Sequence, residues 1–95
     1  MSANIVAVAK FRLGHIVSTP NALSRLSQED ILMAIRRHQS GDWGDLDTED
    51  RAANDRALVE RTRIFSVYRS AAGVKFWLIT EASREATTIL LPEDY

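Results

Sequence analysis

Cysteine is absent from the 95-residue sequence, and glycine and proline are sparse, with four and two residues. Without cysteine the chain forms no disulfide and offers no thiolate to a metal, which fits a reducing cytoplasm. The glycines stand singly, so no glycine-rich loop is available to hold a phosphate group. Long hydrophobic runs are also missing, because the apolar run at 5–9 is too short to span a bilayer and follows no basic region. The sequence therefore predicts a cytoplasmic protein without membrane association.

Neither sign of charge dominates, since twelve basic and thirteen acidic residues give a net charge of −1. Proteins that bind nucleic-acid phosphates usually show a clear basic excess, so direct nucleic-acid binding is not expected. The carboxylates are concentrated between residues 42 and 55, where they accompany one basic residue, Arg51. We call this stretch the acidic segment. Its carboxylates are those of Asp42, Asp45, Asp47, Glu49, Asp50 and Asp55.

Hydrophobic periodicity predicts a single domain over residues 1–95 with the element order β-α-α-β-β-β. Thr19 and Ser27 are expected to cap helices, as is either Asp47 or Thr48, and Gly41 is a plausible helix stop. The predicted elements are an extended segment at 5–18, a short helical turn at 20–26, helices at about 28–39 and 49–59, and strands at 64–69, 75–80 and 87–91. We therefore expect an α+β fold, with a four-stranded, mostly antiparallel sheet and helices packed on one face.

The second helix should bury a stripe formed by Ile31, Leu32 and Ile35. His38 lies near its carboxyl end, where a cation complements the helix dipole, so we expect this side chain to be solvated.

The predicted hairpin is apolar on both faces. Phe76 and Leu78 alternate with Trp77 and Ile79, whereas helices on one side can cover only one face. The other face is then either a patch for a partner or for a second copy in a homodimer, or it belongs to a strongly curved sheet that shields itself.

No metal site is expected. A calcium loop of the EF-hand type that started at Asp45 would need glycine at its sixth position and glutamate at its twelfth, where Asp50 and Arg56 stand. The two histidines, His15 and His38, are too far apart in sequence to indicate a zinc ligand set.

Catalysis is not expected either. His38 could pair on paper with Ser40, Ser66 or Ser83, but no local signature of a nucleophile accompanies these serines. The sequence predicts no catalytic residue, no cofactor and a protein that is not an enzyme.

The acidic segment is better explained as a docking surface for a basic protein partner. Within it, Asp42, Asp45 and Asp55 are not required by any helix cap, which favours this interpretation. Trp43 has two interpretations: it is an aromatic anchor for the partner, or it folds back onto the core and ties the helix connection.

An alternative is a nucleic-acid-directed protein, such as a small toxin ribonuclease or a regulator. Its surface would be formed by Arg61, Arg63, Tyr68, Arg69 and Arg84.

Four segments resemble a family of small bacterial proteins encoded on plasmids, prophages and other mobile elements. They are HQSGDWGDLD at 38–47, NDRAL at 54–58, SVY at 66–68 and the stretch from FWLITE to TTILLPEDY at 76–95. Small proteins of this origin include anti-CRISPR proteins, to which the chain is similar in size. The resemblance implies a non-enzymatic inhibitor that occupies the DNA-binding surface of a CRISPR surveillance complex by DNA mimicry. It assigns a role to no individual residue.

Overall fold

A computed structural model describes residues 9–95, so the start of the predicted first extended segment lies outside the described residues. The fold is α+β, as the sequence predicts. The strands are β1 (His15–Ser18), β2 (Ile64–Arg69), β3 (Lys75–Thr80) and β4 (Ala86–Leu90), and the helices are α1 (Pro20–Arg25), α2 (Gln28–Gln39) and α3 (Thr48–Glu60), followed by a 3₁₀ turn at Pro92–Asp94.

The four strands form one sheet in the order β1-β4-β3-β2. β2 pairs with β3 and β3 with β4 in antiparallel fashion, whereas β1 pairs with β4 in parallel fashion. The sheet is therefore mostly antiparallel, and the three helices lie in the connection that carries the chain from β1 at one edge to β2 at the other. Such a long connection lets the first and last strands run in the same direction.

The helices begin and end where the capping residues predict. Thr19 and Ser27 accept hydrogen bonds from backbone N–H groups at the starts of α1 and α2. Asp47, rather than Thr48, is the N-cap of α3. Gly41, with φ of 88°, follows the last turn of α2 in the left-handed conformation that favours glycine after a helix.

The main core lies between the sheet and helices α1 and α2. Its buried residues are Ala22, Leu26, Ala34, Tyr68, Phe76, Leu78, Ile89 and Leu91. On α2 the stripe that faces the sheet is Ile31, Ala34, Ile35 and His38, at the i, i+3, i+4 and i+7 spacing of one helix face. The prediction that Leu32 belongs to this stripe is wrong. Its position is rotated away from that face, and its side chain is 56% exposed.

Two sets of hydrogen bonds cover the outer edge of β2. The Asn54 side chain accepts a hydrogen bond from Phe65 N (3.2 Å) and donates one to Phe65 O (2.6 Å). Two residues further along, Val67 N donates to Trp43 O (3.2 Å), and Asp45 N donates to Val67 O (2.8 Å). Helix α3 and the acidic segment thus satisfy the backbone groups that an edge strand would otherwise expose.

Candidate functional site

Trp43 fixes the start of the acidic segment to the interior. Its indole is only 4% exposed and lies edge-on to His38 and near the ring of Phe11, with ring centroids 5.9 and 6.2 Å away. Its Nε1 donates a hydrogen bond to Asp55 Oδ1 (3.1 Å). The interpretation of Trp43 as an anchor for a partner is therefore wrong, because its ring is enclosed by the core. It ties the loop to α3 instead.

Gly44 follows Trp43 because a side chain has no room there. Its φ is 77°, and a Cβ at this position would lie 1.9 Å from the carbonyl oxygen of Val67. Only glycine adopts this conformation readily and lets two backbones approach so closely. The loop is therefore held in register against β2 at Gly44.

Asp42 and Asp45, which no helix cap requires, have basic partners within the chain. Arg37 donates to both carboxylate oxygens of Asp42, at 2.7 and 3.2 Å, and this hydrogen bonding is the main reason that the pKa of Asp42 lies below its usual value. Asp45 lies 3.5 Å from the guanidinium of Arg69, and both side chains are more than half exposed. Exposed ion pairs of this kind contribute about 0–1 kcal/mol to the free energy of unfolding. Their main effect is to orient the two carboxylates.

The other carboxylates lie on the first turns of α3. Asp47 accepts a hydrogen bond from Asp50 N (2.8 Å), and Glu49 and Asp50 are exposed at the amino end of the helix, where its dipole favours negative charge. Arg51 donates to two carbonyl oxygens of the preceding loop, at 3.0 and 3.1 Å. The structure therefore brings the six carboxylates of the acidic segment onto one loop-and-helix unit that is fastened to the edge of β2.

Beneath this unit lies a buried chain of hydrogen bonds around His38. Its Nδ1 is 2.5 Å from Ser66 Oγ, and its Nε2 is 2.8 Å from Thr80 Oγ1. Thr80 Oγ1 is 2.7 Å from Thr87 Oγ1, which donates to Leu13 O (2.8 Å). Because Thr87 gives its proton to a carbonyl, Thr80 donates to Thr87 and accepts from His38. The chain is satisfied by a neutral imidazole with its proton on Nε2 and with Ser66 donating to Nδ1.

The expectation that His38 is solvated is wrong, because its side chain is 0% exposed. Burial, with a smaller effect from the positive charge of Arg84, lowers its pKa to about 3. Of the three serines considered as partners, Ser66 is the one that the fold brings to His38. Ser66 is also 0% exposed, so this serine–histidine pair cannot reach a substrate and serves the core.

The proposed arginine-rich surface is only partly assembled. Arg84 is 4% exposed, and its guanidinium donates to backbone carbonyls at the end of α3 and in the neighbouring loops, at 2.7 to 3.4 Å. Tyr68 is 2% exposed and donates its hydroxyl to the Asp42 carbonyl (2.6 Å). The prediction that these two residues contact nucleic acid is wrong, whereas Arg61, Arg63 and Arg69 are exposed.

A second candidate surface lies on the sheet face opposite α1 and α2. Three aromatic rings form a row there, with Trp77 in the middle. The ring centroid of Trp77 lies 5.1 Å from that of Phe65 and 5.7 Å from that of Tyr95. Arg63 lies over the Tyr95 ring at 5.6 Å and donates to its hydroxyl (2.8 Å). Together with Ile79 they line an open depression of about 350 Å³, which we call the aromatic pocket.

Sequence reasoning identified the two apolar faces of the hairpin but missed the aromatic pocket. The signal was available in β2 and β3, because Phe65 and Trp77 both point to the face opposite Phe76 and Leu78. The part played by Tyr95 depends on the turn at Pro92–Asp94, which no periodic pattern indicates.

Within residues 9–95, no group of three or more histidine, aspartate or glutamate side chains is arranged to hold a metal ion. No helix in the same range is long and apolar enough to cross a membrane. Comparison of the chain with protein-family models, curated proteins and solved structures gives no match.

Proposed function

We propose that this protein is a non-enzymatic inhibitor that binds a bacterial defence complex through the acidic segment. The observation that carries the proposal is that the segment is held rigid. Trp43, Gly44 and Arg51 fix the loop to the core, to β2 and to α3. A carboxylate surface that is already ordered loses little conformational entropy when a partner binds.

The expected partner presents a basic surface. Asp42 and Asp45 form ion pairs with Arg37 and Arg69, so we expect the partner to contact mainly the carboxylates of α3 and its N-cap. These carboxylates are those of Asp47, Glu49, Asp50 and Asp55. Lysines and arginines that normally bind DNA phosphates would bind these carboxylates instead, and the inhibitor would then compete with DNA.

The choice of a CRISPR surveillance complex rests on the family resemblance described above. Such complexes hold target DNA in positively charged channels, which an acidic protein of this size can occupy. The mechanism is occupation of the channel, with no chemical step.

Charge reversal on α3 tests the proposal. Glu49→Lys with Asp50→Lys changes two exposed side chains, and Glu60→Lys with Glu81→Lys is a matched control with the same change in net charge. The protein is expressed in bacteria that carry an active CRISPR system, and the plating efficiency of a targeted phage is measured. We expect the original protein and the control to restore plating, and the α3 variant to lose this effect because like charges would then meet at the interface.

Circular dichroism confirms that each variant is folded. Full restoration of plating by the folded α3 variant would refute the acidic segment as the binding surface. The choice of target would be refuted if the original protein restored plating against none of the CRISPR types in a panel.

A further inference from the structure

We infer that the aromatic pocket and the strands beside it bind single-stranded nucleic acid, with a base in the pocket and phosphates on the flanking basic side chains. This inference does not rest on the proposed function, because none of the residues that line the pocket belongs to the acidic segment. It also differs from the expectation drawn from net charge.

The pocket has the shape and composition of a stacking site. Phe65 and Trp77 are half-buried, whereas Tyr95 is 72% exposed. Bases stack on such aromatic side chains when single strands bind across an open sheet face. A depression of about 350 Å³ is large enough for one planar base.

The polar groups of the pocket call for a ligand that accepts hydrogen bonds. The Nε1 of Trp77 is buried, and no group among residues 9–95 accepts a hydrogen bond from it. An unpaired buried N–H group costs about 1–3 kcal/mol, and a ligand acceptor in the pocket could reach this group only after a small rotation of the indole. The Arg63 guanidinium adds further donors and a positive charge at the rim. A base carbonyl or ring nitrogen with its phosphate meets both requirements.

Charge on this face is also favourable. Arg69 and Lys75 are paired in register at the far end of β2 and β3 and lie on the same face as Phe65 and Trp77. Arg63 and Arg69 are six residues apart, which corresponds to about 20 Å along a strand. Basic groups therefore lie at both ends of the aromatic pocket, where they can contact successive phosphates of a bound oligonucleotide. Asp45 pairs with Arg69 at one end of this path.

The low net charge of the chain conceals this arrangement. Six of the thirteen carboxylates belong to the acidic segment, at the edge of β2 and on α3. The charged residues within β2, β3 and β4 are Arg69 and Lys75, both basic. The sheet face is thus locally basic although the whole protein is not.

The test uses the purified full chain with fluorescein-labelled single-stranded RNA and DNA octamers of mixed sequence, followed by fluorescence anisotropy. We expect binding of both octamers, with a slope of about −2 for log K against log salt, since three cations at about 0.7 each contribute. Lys75→Ala should reduce the slope by about 0.7. Tyr95→Ala should weaken binding roughly tenfold or more through lost stacking.

Val59→Ala is the matched control for Tyr95→Ala, because Val59 is also highly exposed (83%) but lies on α3. We expect this control to bind like the original protein. Trp77→Phe keeps a ring and removes the N–H donor, and should weaken binding with no loss of fold by circular dichroism.

Four results would overturn the inference. They are no binding at low salt, equal binding by the Tyr95→Ala variant, equal affinity for AMP and for the octamers, and light scattering that shows a dimer which Tyr95→Ala dissociates. The third would assign the pocket to free nucleotides, and the fourth would assign it to a second copy of the chain.

Discussion

His38 should make the protein sensitive to mild acid. In the unfolded chain its pKa is about 6.5, whereas burial lowers the folded value to about 3. Above pH 6.5 the imidazole is neutral in both states and the folded protein bears no penalty. As the pH falls below 6.5 the unfolded chain takes up a proton that the folded protein refuses, so the free energy of unfolding decreases.

The size of the effect follows from the two pKa values. One pKa unit corresponds to about 1.4 kcal/mol, so the full loss down to pH 3 is about 5 kcal/mol. Between pH 7 and pH 5 the loss from this residue is about 2 kcal/mol. That is a large fraction of the 5–15 kcal/mol that stabilises a typical domain. This window also lies above the range in which aspartates and glutamates titrate, so His38 dominates the change.

Urea denaturation followed by tryptophan fluorescence at pH 7, 6 and 5 measures the loss directly. His38→Gln should lower stability at pH 7, because the buried hydrogen bonds are disturbed, but it should remove most of the pH dependence. His15→Gln changes an exposed histidine on β1 and should leave the pH dependence as it is. An unaltered slope in the His38→Gln variant, or an NMR titration of His38 with a pKa near 6.5, would refute the reasoning.

Two further predictions concern the edge of β2. Gly44→Ala should reduce the free energy of unfolding by more than about 3 kcal/mol, because the new Cβ would clash with the Val67 carbonyl and the positive φ disfavours alanine. Gly73→Ala is the control: its φ is also positive, at 85°, but no atom lies near the new Cβ, so it should cost only about 1 kcal/mol. Asn54→Ala should cost about 2–4 kcal/mol by leaving the N–H and C=O of Phe65 without partners. Asn54→Asp should cost more, because it puts a buried carboxylate oxygen against the Phe65 carbonyl. Thermal unfolding of each pair of variants measures both differences, and equal stability within either pair would contradict the geometry described above.

The fold could be predicted because its signals are local. The strands at 64–69 and 75–80 are short runs rich in β-branched and aromatic residues on either side of a glycine-containing turn, and their predicted limits are confirmed. The caps at Thr19 and Ser27 are short-range hydrogen bonds that depend on residue type and spacing alone. These signals need no knowledge of what lies across the molecule.

The burial of polar side chains could not be predicted in the same way. His38 occupies the last position of the buried stripe on α2, and only the arrival of Ser66 and Thr80 from two strands makes its burial tolerable. Arg84 is likewise buried because several backbone carbonyls converge on it. Local rules assign such residues to the surface, since their partners lie 27 or more positions away in sequence or arise from loop geometry.

The acidic segment shows an intermediate case. The sequence indicated that either Asp47 or Thr48 caps α3, but it did not reveal the partners of Asp42, Asp45 and Asp55. Arg37, Arg69 and Trp43 reach them only because the loop lies against β2. Composition revealed the surplus of carboxylates, and tertiary structure determines how much of that charge remains free for a partner.

Both proposed surfaces depend on the register of a single strand. In β2, Ser66 and Tyr68 point to the core, Phe65 and Arg69 point to the opposite face, and the outer edge holds the acidic segment. Because side chains alternate with period two, a slip of one residue would exchange the two faces. Two contacts hold the register at that edge, namely the Asn54 amide on Phe65 and the backbone pairing of Val67 with Trp43 and Asp45. A loss of the Asn54 contact should therefore weaken both surfaces together, although neither of them includes Asn54.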